Sequence, residues 1–303
     1  MKNRFAHLPG RPVPSTPDDL LRRLATVEPI GGPTPVRDQH MVSQAHSEPW
    51  TAVDRDGVAR LQPFPIDNLQ RRVRRRTPRG VAYVQNWCDF GSGTLELVWK
   101  ATEDQIPDLR AAVENGVLHE HPDLVDVARS LIALCCVRTA RLRDQFQQWI
   151  APHEQQAGQV LASADPTRSQ PIGRKLFRLA AEDLYRDTQW IASTAQVRVL
   201  VPERDQDEFL LTDAPALTIG HRAVPELKGK LGVPVGDAGN VFLPLTPRHM
   251  LTLADQPGVE RIPAGFVRFL NNSLATTAIE YVFARPGSAI EQVLRDQWPA
   301  PRR

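Results

Sequence analysis

Apolar residues recur at intervals of three and four through the middle of the chain, the spacing that lines one face of an α-helix. The longest stripe runs over residues 122–149, with Leu124, Val127, Leu131, Leu134, Leu142 and Phe146 behind Pro122. A proline suits the first helical position because the N–H it lacks has no intrahelical partner there. Residues 94–115 carry Leu95, Val98, Ile106, Leu109 and Val113 and close at Asn115-Gly116, while Pro107 argues against one unbroken helix. Residues 174–192 repeat the pattern with Leu176, Leu179, Ala180, Leu184 and Trp190.

From residue 196 the period shortens. Gln196-Val-Arg-Val-Leu-Val-Pro202 alternates in part, as a strand with one covered face does. Further strands are expected over 209–213, 216–219, 241–245 and 249–253, with a Gly-rich loop at 229–240. A helix is expected over 263–284 from Pro263. A last helix begins at Ser288, with Glu291 three residues on completing a capping box. Amphipathic helices packed on a small mixed or antiparallel sheet make an α+β fold.

Ahead of these elements, residues 1–35 hold seven prolines and read as an arm or tail, interrupted by a short helix with Thr16 as N-cap, Pro17 next, and Leu20, Leu21 and Leu24 on its apolar side. Val36, Met41, Val42 and Ala45 are loosely helical in spacing. Trp50 to Leu61 reads as a hairpin whose turn, Asp54-Arg55-Asp56-Gly57, ends on the residue that most readily takes a positive φ. Residues 151–170 are polar and small, and read as a loop. The expected organisation is an arm over 1–35, one α+β domain over 36–285, and a C-terminal helix and tail over 286–303.

Composition narrows the function classes. Of 303 residues, 41% are hydrophobic and 24% charged, which excludes a wholly disordered chain. The formal charge of +2 makes no case for wholesale nucleic-acid or membrane binding. Of the 37 basic residues 32 are Arg, a bias that together with 27 prolines suggests GC-rich codons. Cys88, Cys135 and Cys136 form neither a paired framework nor a CxxC zinc site, as expected of a reducing cytoplasm. No secretory h-region opens the chain, and no apolar run is long enough to span a membrane. Gly-rich phosphate loops, a G-x-S-x-G elbow and an H-E-x-x-H pair are absent from the sequence.

Candidate chemistry sits where polar residues fall on apolar faces. Arg138 fills the gap in the stripe of 122–149, which directs its guanidinium to the core. A buried arginine keeps its proton and needs an acidic partner or a bound anion; the alternative is a snorkelling side chain at the stripe's edge. Asp213 follows the apolar run Phe209-Leu-Leu-Thr and precedes Ala-Pro, as a carboxylate held at a strand end or as a turn-starting residue. Thr212 would face the other way from Asp213. Asn271 shares a face with Val267, Leu274, Ala278 and Val282, so its amide must be hydrogen-bonded, either in a site or to a neighbouring loop backbone. His40 is structural or, beside Asp213, an acid–base group near neutral pH. His119 and His121 flank Glu120 and lack a third metal ligand.

A separate signal is the run Arg71, Arg72, Arg74, Arg75, Arg76 and Arg79, six cations in nine residues. It is a solvated face or a footprint for phosphates, with Tyr83 and Trp87 following as stacking candidates.

Taken in order, Gln39-His40, Val137-Arg138-Thr139, Phe209-Leu-Leu-Thr-Asp-Ala-Pro215, Leu243-Pro-Leu-Thr-Pro247 and the Asn271 helix resemble the bacterial domain-of-unknown-function family 4238 over roughly residues 36–285, as a divergent member in which Gln-His is followed by Met-Val-Ser. The resemblance implies that His40, Arg138, Asp213 and Asn271 belong together, and implies no activity, cofactor or metal. The expected function is a cytoplasmic hydrolase or phosphodiesterase-like enzyme on an anionic substrate, with His40, Asp213, Arg138 and Asn271 as its machinery and Thr212, Arg71, Arg72, Arg74, Arg75 and Arg76 as substrate contacts. The alternative is a non-enzymatic regulatory protein that binds nucleic acid or protein through residues 71–79.

Overall fold

The structure is a computed structural model that describes residues 38–71, 73–85, 87, 92–151 and 172–296, together with Thr16, Asp19 and Leu20. Most of the N-terminal arm, the 151–170 segment expected as a loop except for Ala151, Arg72, Cys88 and the last residues lie outside the described residues. Along the chain come strand β1 (Asp38–His40), the short helix α1 (Gln44–Ser47) and strands β2 (Ala52–Val53), β3 (Ala59–Arg60), β4 (Gln62–Pro65) and β5 (Tyr83–Gln85). Helices α2 (Ser92–Glu103), α3 (Ile106–Glu114), α4 (Pro122–Val137), α5 (Ala140–Ile150) and α6 (Ile172–Ser193) follow. Strands β6 (Gln196–Pro202), β7 (Leu211–Thr212), β8 (Leu217–Gly220), β9 (Ala238–Thr246), β10 (His249–Ala254) and β11 (Gly258–Ile262) lead to helix α7 (Ala264–Thr277), strand β12 (Tyr281–Ala284) and helix α8 (Ala289–Asp296).

This is an α+β fold. Its largest sheet has the order β11-β6-β10-β9-β8, antiparallel except for the β11–β6 pair. The two faces of that sheet separate by the period of two. Val197, Val199, Val241, Leu243, Leu251 and Leu253 pack with residues of α3, α4 and α6, among them Ile106, Leu131, Ile132 and Ile191. Leu200, Phe242 and Met250 pack the other way, with Val267, Leu270 and Leu274 of α7. A Leu131→Ala change in the first of these layers removes a fully enclosed side chain, at a typical cost of about 2–5 kcal/mol.

A second sheet, β4-β12-β7, is antiparallel and also covered on both faces. Phe64, Val282 and Ala284 meet Leu210 and Leu294 on one side. Phe283 and Leu211 meet Val42, Trp50, Leu61 and Val81 on the other. The indole N–H of Trp50 donates to the Phe209 carbonyl at 2.9 Å, which ties the hairpin region to the segment leading into β7.

Several expectations are met at residue level. Thr16 accepts the Asp19 N–H on its hydroxyl at 3.2 Å, and Leu20 is buried. The hairpin forms between β2 and β3, with Gly57 at φ +73° and Asp54 accepting the Asp56 and Val58 N–H groups. Ser288 accepts the Glu291 N–H, and the Glu291 carboxylate accepts the Gly287 N–H in return.

Two expected helices are corrected. The stripe of 122–149 is not one helix: Arg138 leaves the helical region at ψ +70°, and Thr139 starts α5 as an N-cap, its hydroxyl accepting the Leu142 N–H at 3.2 Å. A threonine oxygen that satisfies an orphan helix N–H makes a second start cheap at that point. The helix of 263–284 stops at Thr277, because Ala278 turns to extended backbone and Tyr281–Ala284 finds strand partners on both sides. No helix among the described residues is long and apolar enough to cross a membrane.

Candidate functional site

Arg138, Asp213, Asn271 and His40 each have their own partners; among the described residues no hydrogen bond, ion pair or ring contact joins any two of them. The single constellation expected from the sequence is therefore replaced by separate arrangements.

Arg138 is 3% exposed at the break between α4 and α5. Its Nη1 donates to Glu103 at 2.6 Å and its Nη2 to both oxygens of Glu96 at 3.0 and 2.9 Å, with the guanidinium over the Trp99 ring, 4.8 Å from the centroid. Gln39 adds a donor to Glu96 at 3.2 Å. Burial pushes the Glu103 carboxyl upward, and Arg138 opposes that shift. Glu96, Trp99 and Glu103 stand three and four positions apart, one face of α2, a spacing that could have marked them in the sequence. The arginine found the acidic partners that its burial demanded, and those partners occupy both of its terminal amino groups.

Asn271 is spent on backbone. Its Oδ1 accepts the Leu210 N–H at 3.0 Å and its Nδ2 donates to the Glu208 carbonyl at 2.8 Å. This fixes the segment that enters β7. Thr212 is fully enclosed on β7, with its hydroxyl unpartnered among the described residues, so it makes no contact with a ligand from solvent. Trp87 is likewise buried, its indole N–H donating to the Thr139 carbonyl at 2.9 Å, and does not stack on a base.

Asp213 is 7% exposed and accepts three consecutive backbone N–H groups, from Ile279 at 2.8 Å, Glu280 at 2.6 Å and Tyr281 at 3.0 Å. Burial raises its carboxyl above the ordinary range against the lowering effect of those donors. It thereby shapes one wall of a cavity of about 270 Å³, whose lining also includes Arg76, Ala82, Tyr83, Glu280 and Tyr281. The Arg76 guanidinium lies over the Tyr281 ring, 5.7 Å from the centroid, and donates a long hydrogen bond of 3.4 Å to the Gly80 carbonyl. Tyr83 is 46% exposed. Ala82 sits at φ +50°, a strained conformation for a residue with a side chain. Its carbonyl accepts the Met41 N–H, which holds β1 beside the cavity wall.

His40 stands next to this cavity without lining it. It pairs with Tyr83 across β1 and β5, the two rings 6.2 Å apart, and its Nε2–H donates to the Arg79 carbonyl at 3.1 Å. The structure thus brings Asp213 and Arg76 to one cavity and His40 to its edge, and leaves Arg138 and Asn271 elsewhere.

Of the arginine run, Arg71 pairs with Asp67 at the surface. Arg74, Arg75 and Arg79 are exposed, and their side chains have no hydrogen bond or ion pair among the described residues; Arg72 lies outside those residues. His119 accepts the Gly258 N–H at 3.0 Å.

One mixed and one antiparallel sheet packed with helices, a cation–aromatic cavity and a separate buried arginine–glutamate cluster make up this α+β protein. Residues 122–288 match the model of the family described as Protein of unknown function (DUF4238), and the chain belongs to that family. No curated protein and no solved structure matches it.

Proposed function

We propose that the chain binds a phosphate-bearing ligand that carries an aromatic ring, a nucleotide or the end of a single nucleic-acid strand, at the cavity of Arg76, Tyr83 and Tyr281. The observation that carries this reading is the placement of Arg76 over Tyr281 at a cavity flanked by the exposed ring of Tyr83. A guanidinium suits a phosphate through its forked donors, and an aromatic face suits a base. Arg74, Arg75 and Arg79 supply further positive charge along the same segment.

Binding is preferred to hydrolysis because the acid–base pair does not meet. The Asp213 carboxylate is held by three backbone donors and His40 is turned to a backbone carbonyl. The phosphodiesterase-like reading would need one of those groups released. A cytoplasmic setting agrees with Cys135 and Cys136, which are free thiols.

The test is anisotropy of a labelled single-stranded oligonucleotide against salt, with free nucleoside monophosphates as competitors. Binding should weaken with salt at a slope near −0.7 per phosphate contacted, for about two to four contacts. Displacement by a monophosphate assigns the ligand to nucleotides, and its failure assigns it to strands. No retention at low salt, or an affinity indifferent to salt, overturns the proposal.

A further inference from the structure

A second cavity, of about 340 Å³, lies between the 204–208 segment, α7 and α8, away from the one above. Its polar lining is unusual in one respect. Glu208 is 5% exposed; one carboxylate oxygen, Oε1, accepts from Arg285, while Oε2 is buried with no hydrogen-bond partner among the described residues. Unlike the enclosed Thr212, Glu208 lines a cavity; a buried carboxylate oxygen without a donor is costly, and at a cavity wall it points to a donor supplied by a bound molecule.

The remaining lining says what that partner is. Arg204 is committed to Asp207 through two bonds of 2.8 Å. Arg268 also lines the cavity, is exposed, and its side chain has no hydrogen bond or ion pair among the described residues. Val267, Ile290 and Val293 give the cavity an apolar wall. The segment bearing Glu208 is held in place by Arg248, which donates to the carbonyls of Arg204 and Asp207 at 2.5 and 2.7 Å, and by Asn271. The cavity therefore offers an acceptor that lacks a donor, a cation that lacks an anion, and hydrocarbon between, in a volume typical of small-molecule sites.

We propose that this cavity binds a free aliphatic α-amino acid, its ammonium group donating to Glu208 Oε2, its carboxylate facing Arg268, and its side chain against Val267, Ile290 and Val293. The Glu208–Arg285 pair is neutral; the zwitterion adds no net charge to the cavity, its carboxylate facing Arg268 and its ammonium answering the Glu208 oxygen that lacks a donor. This site is independent of the phosphate-binding reading.

Calorimetric titration of L-leucine into the full chain tests it, with 4-methylpentanoate (no amine) and isoamylamine (no carboxylate) as controls. L-leucine should bind, and each control should bind at least about tenfold more weakly, the loss of one charged contact. Arg268→Ala removes an exposed side chain that nothing in the fold leans on and should weaken L-leucine binding about tenfold; Glu208→Gln should do the same. The proposal is overturned by the absence of heat up to about 10 mM L-leucine, far weaker than such contacts imply, by controls that bind as well as L-leucine, or by an Arg268→Ala protein that binds unchanged.

Discussion

The Asp213 carboxylate receives the Glu280 N–H at 2.6 Å, and this approach joins the end of β7 to the turn between α7 and β12. Ile279 and Tyr281 donate to the same carboxylate, so one side chain caps the whole passage from helix to β12. Asp213→Ala leaves three backbone donors without an acceptor in a largely buried place, and should lower stability by roughly 2–4 kcal/mol in urea unfolding. Asp213→Asn keeps one acceptor oxygen and should cost less. A neutral outcome for Asp213→Ala would return the residue to a purely functional role.

Arg138 holds Glu96 and Glu103 together, and its loss leaves their carboxylates with no cation between them. Arg138→Ala should cost about 3–5 kcal/mol near neutral pH. The deficit should shrink toward pH 5, because the Glu103 carboxyl is already raised by burial and takes up a proton more readily once Arg138 is gone. Urea midpoints of wild type and variant at two pH values give the comparison.

His46 is buried and its Nε2–H donates to the Pro244 carbonyl at 2.6 Å, 198 positions away in sequence. Burial lowers its imidazole from 6.5 to about 4. The unfolded chain thus binds a proton that the folded chain refuses between those values. Stability from this residue is complete above pH 6.5 and is lost as the pH falls toward 4, by about 3 kcal/mol in all. His46→Gln should remove that component of the pH dependence, measured as the difference between the two acid-unfolding curves; parallel curves would contradict it.

How much of this was legible in the sequence differs by residue. The amphipathic helices and most strands of the large sheet follow from periods of 3.6 and 2. Burial of Arg138 and Asn271 is legible because each interrupts an apolar face. Their partners are not, since Glu96 and Glu103 look like solvated helix charges until Arg138 is placed against them. Strand β12 is hidden because Val282 continues the helical spacing of Asn271, Leu274 and Ala278; only its strand neighbours, distant in sequence, decide otherwise. Strand β11 carries Val259-Glu260-Arg261, with no apolar run to mark it, and exists through its pairing with β6. The join at Arg138-Thr139 turns on one cap, which the stripe of apolar residues passes over.

The most direct measurement is calorimetric titration of adenosine monophosphate into wild type and Arg76→Ala. Arg76 is exposed and its side chain makes one long hydrogen bond, so the variant should keep its melting temperature. Measurable binding to wild type and a loss of about tenfold or more in the variant, the worth of a charged phosphate contact, is the predicted result. Equal affinity in the two proteins, or no binding of either adenosine monophosphate or the labelled single strand to wild type, contradicts the account.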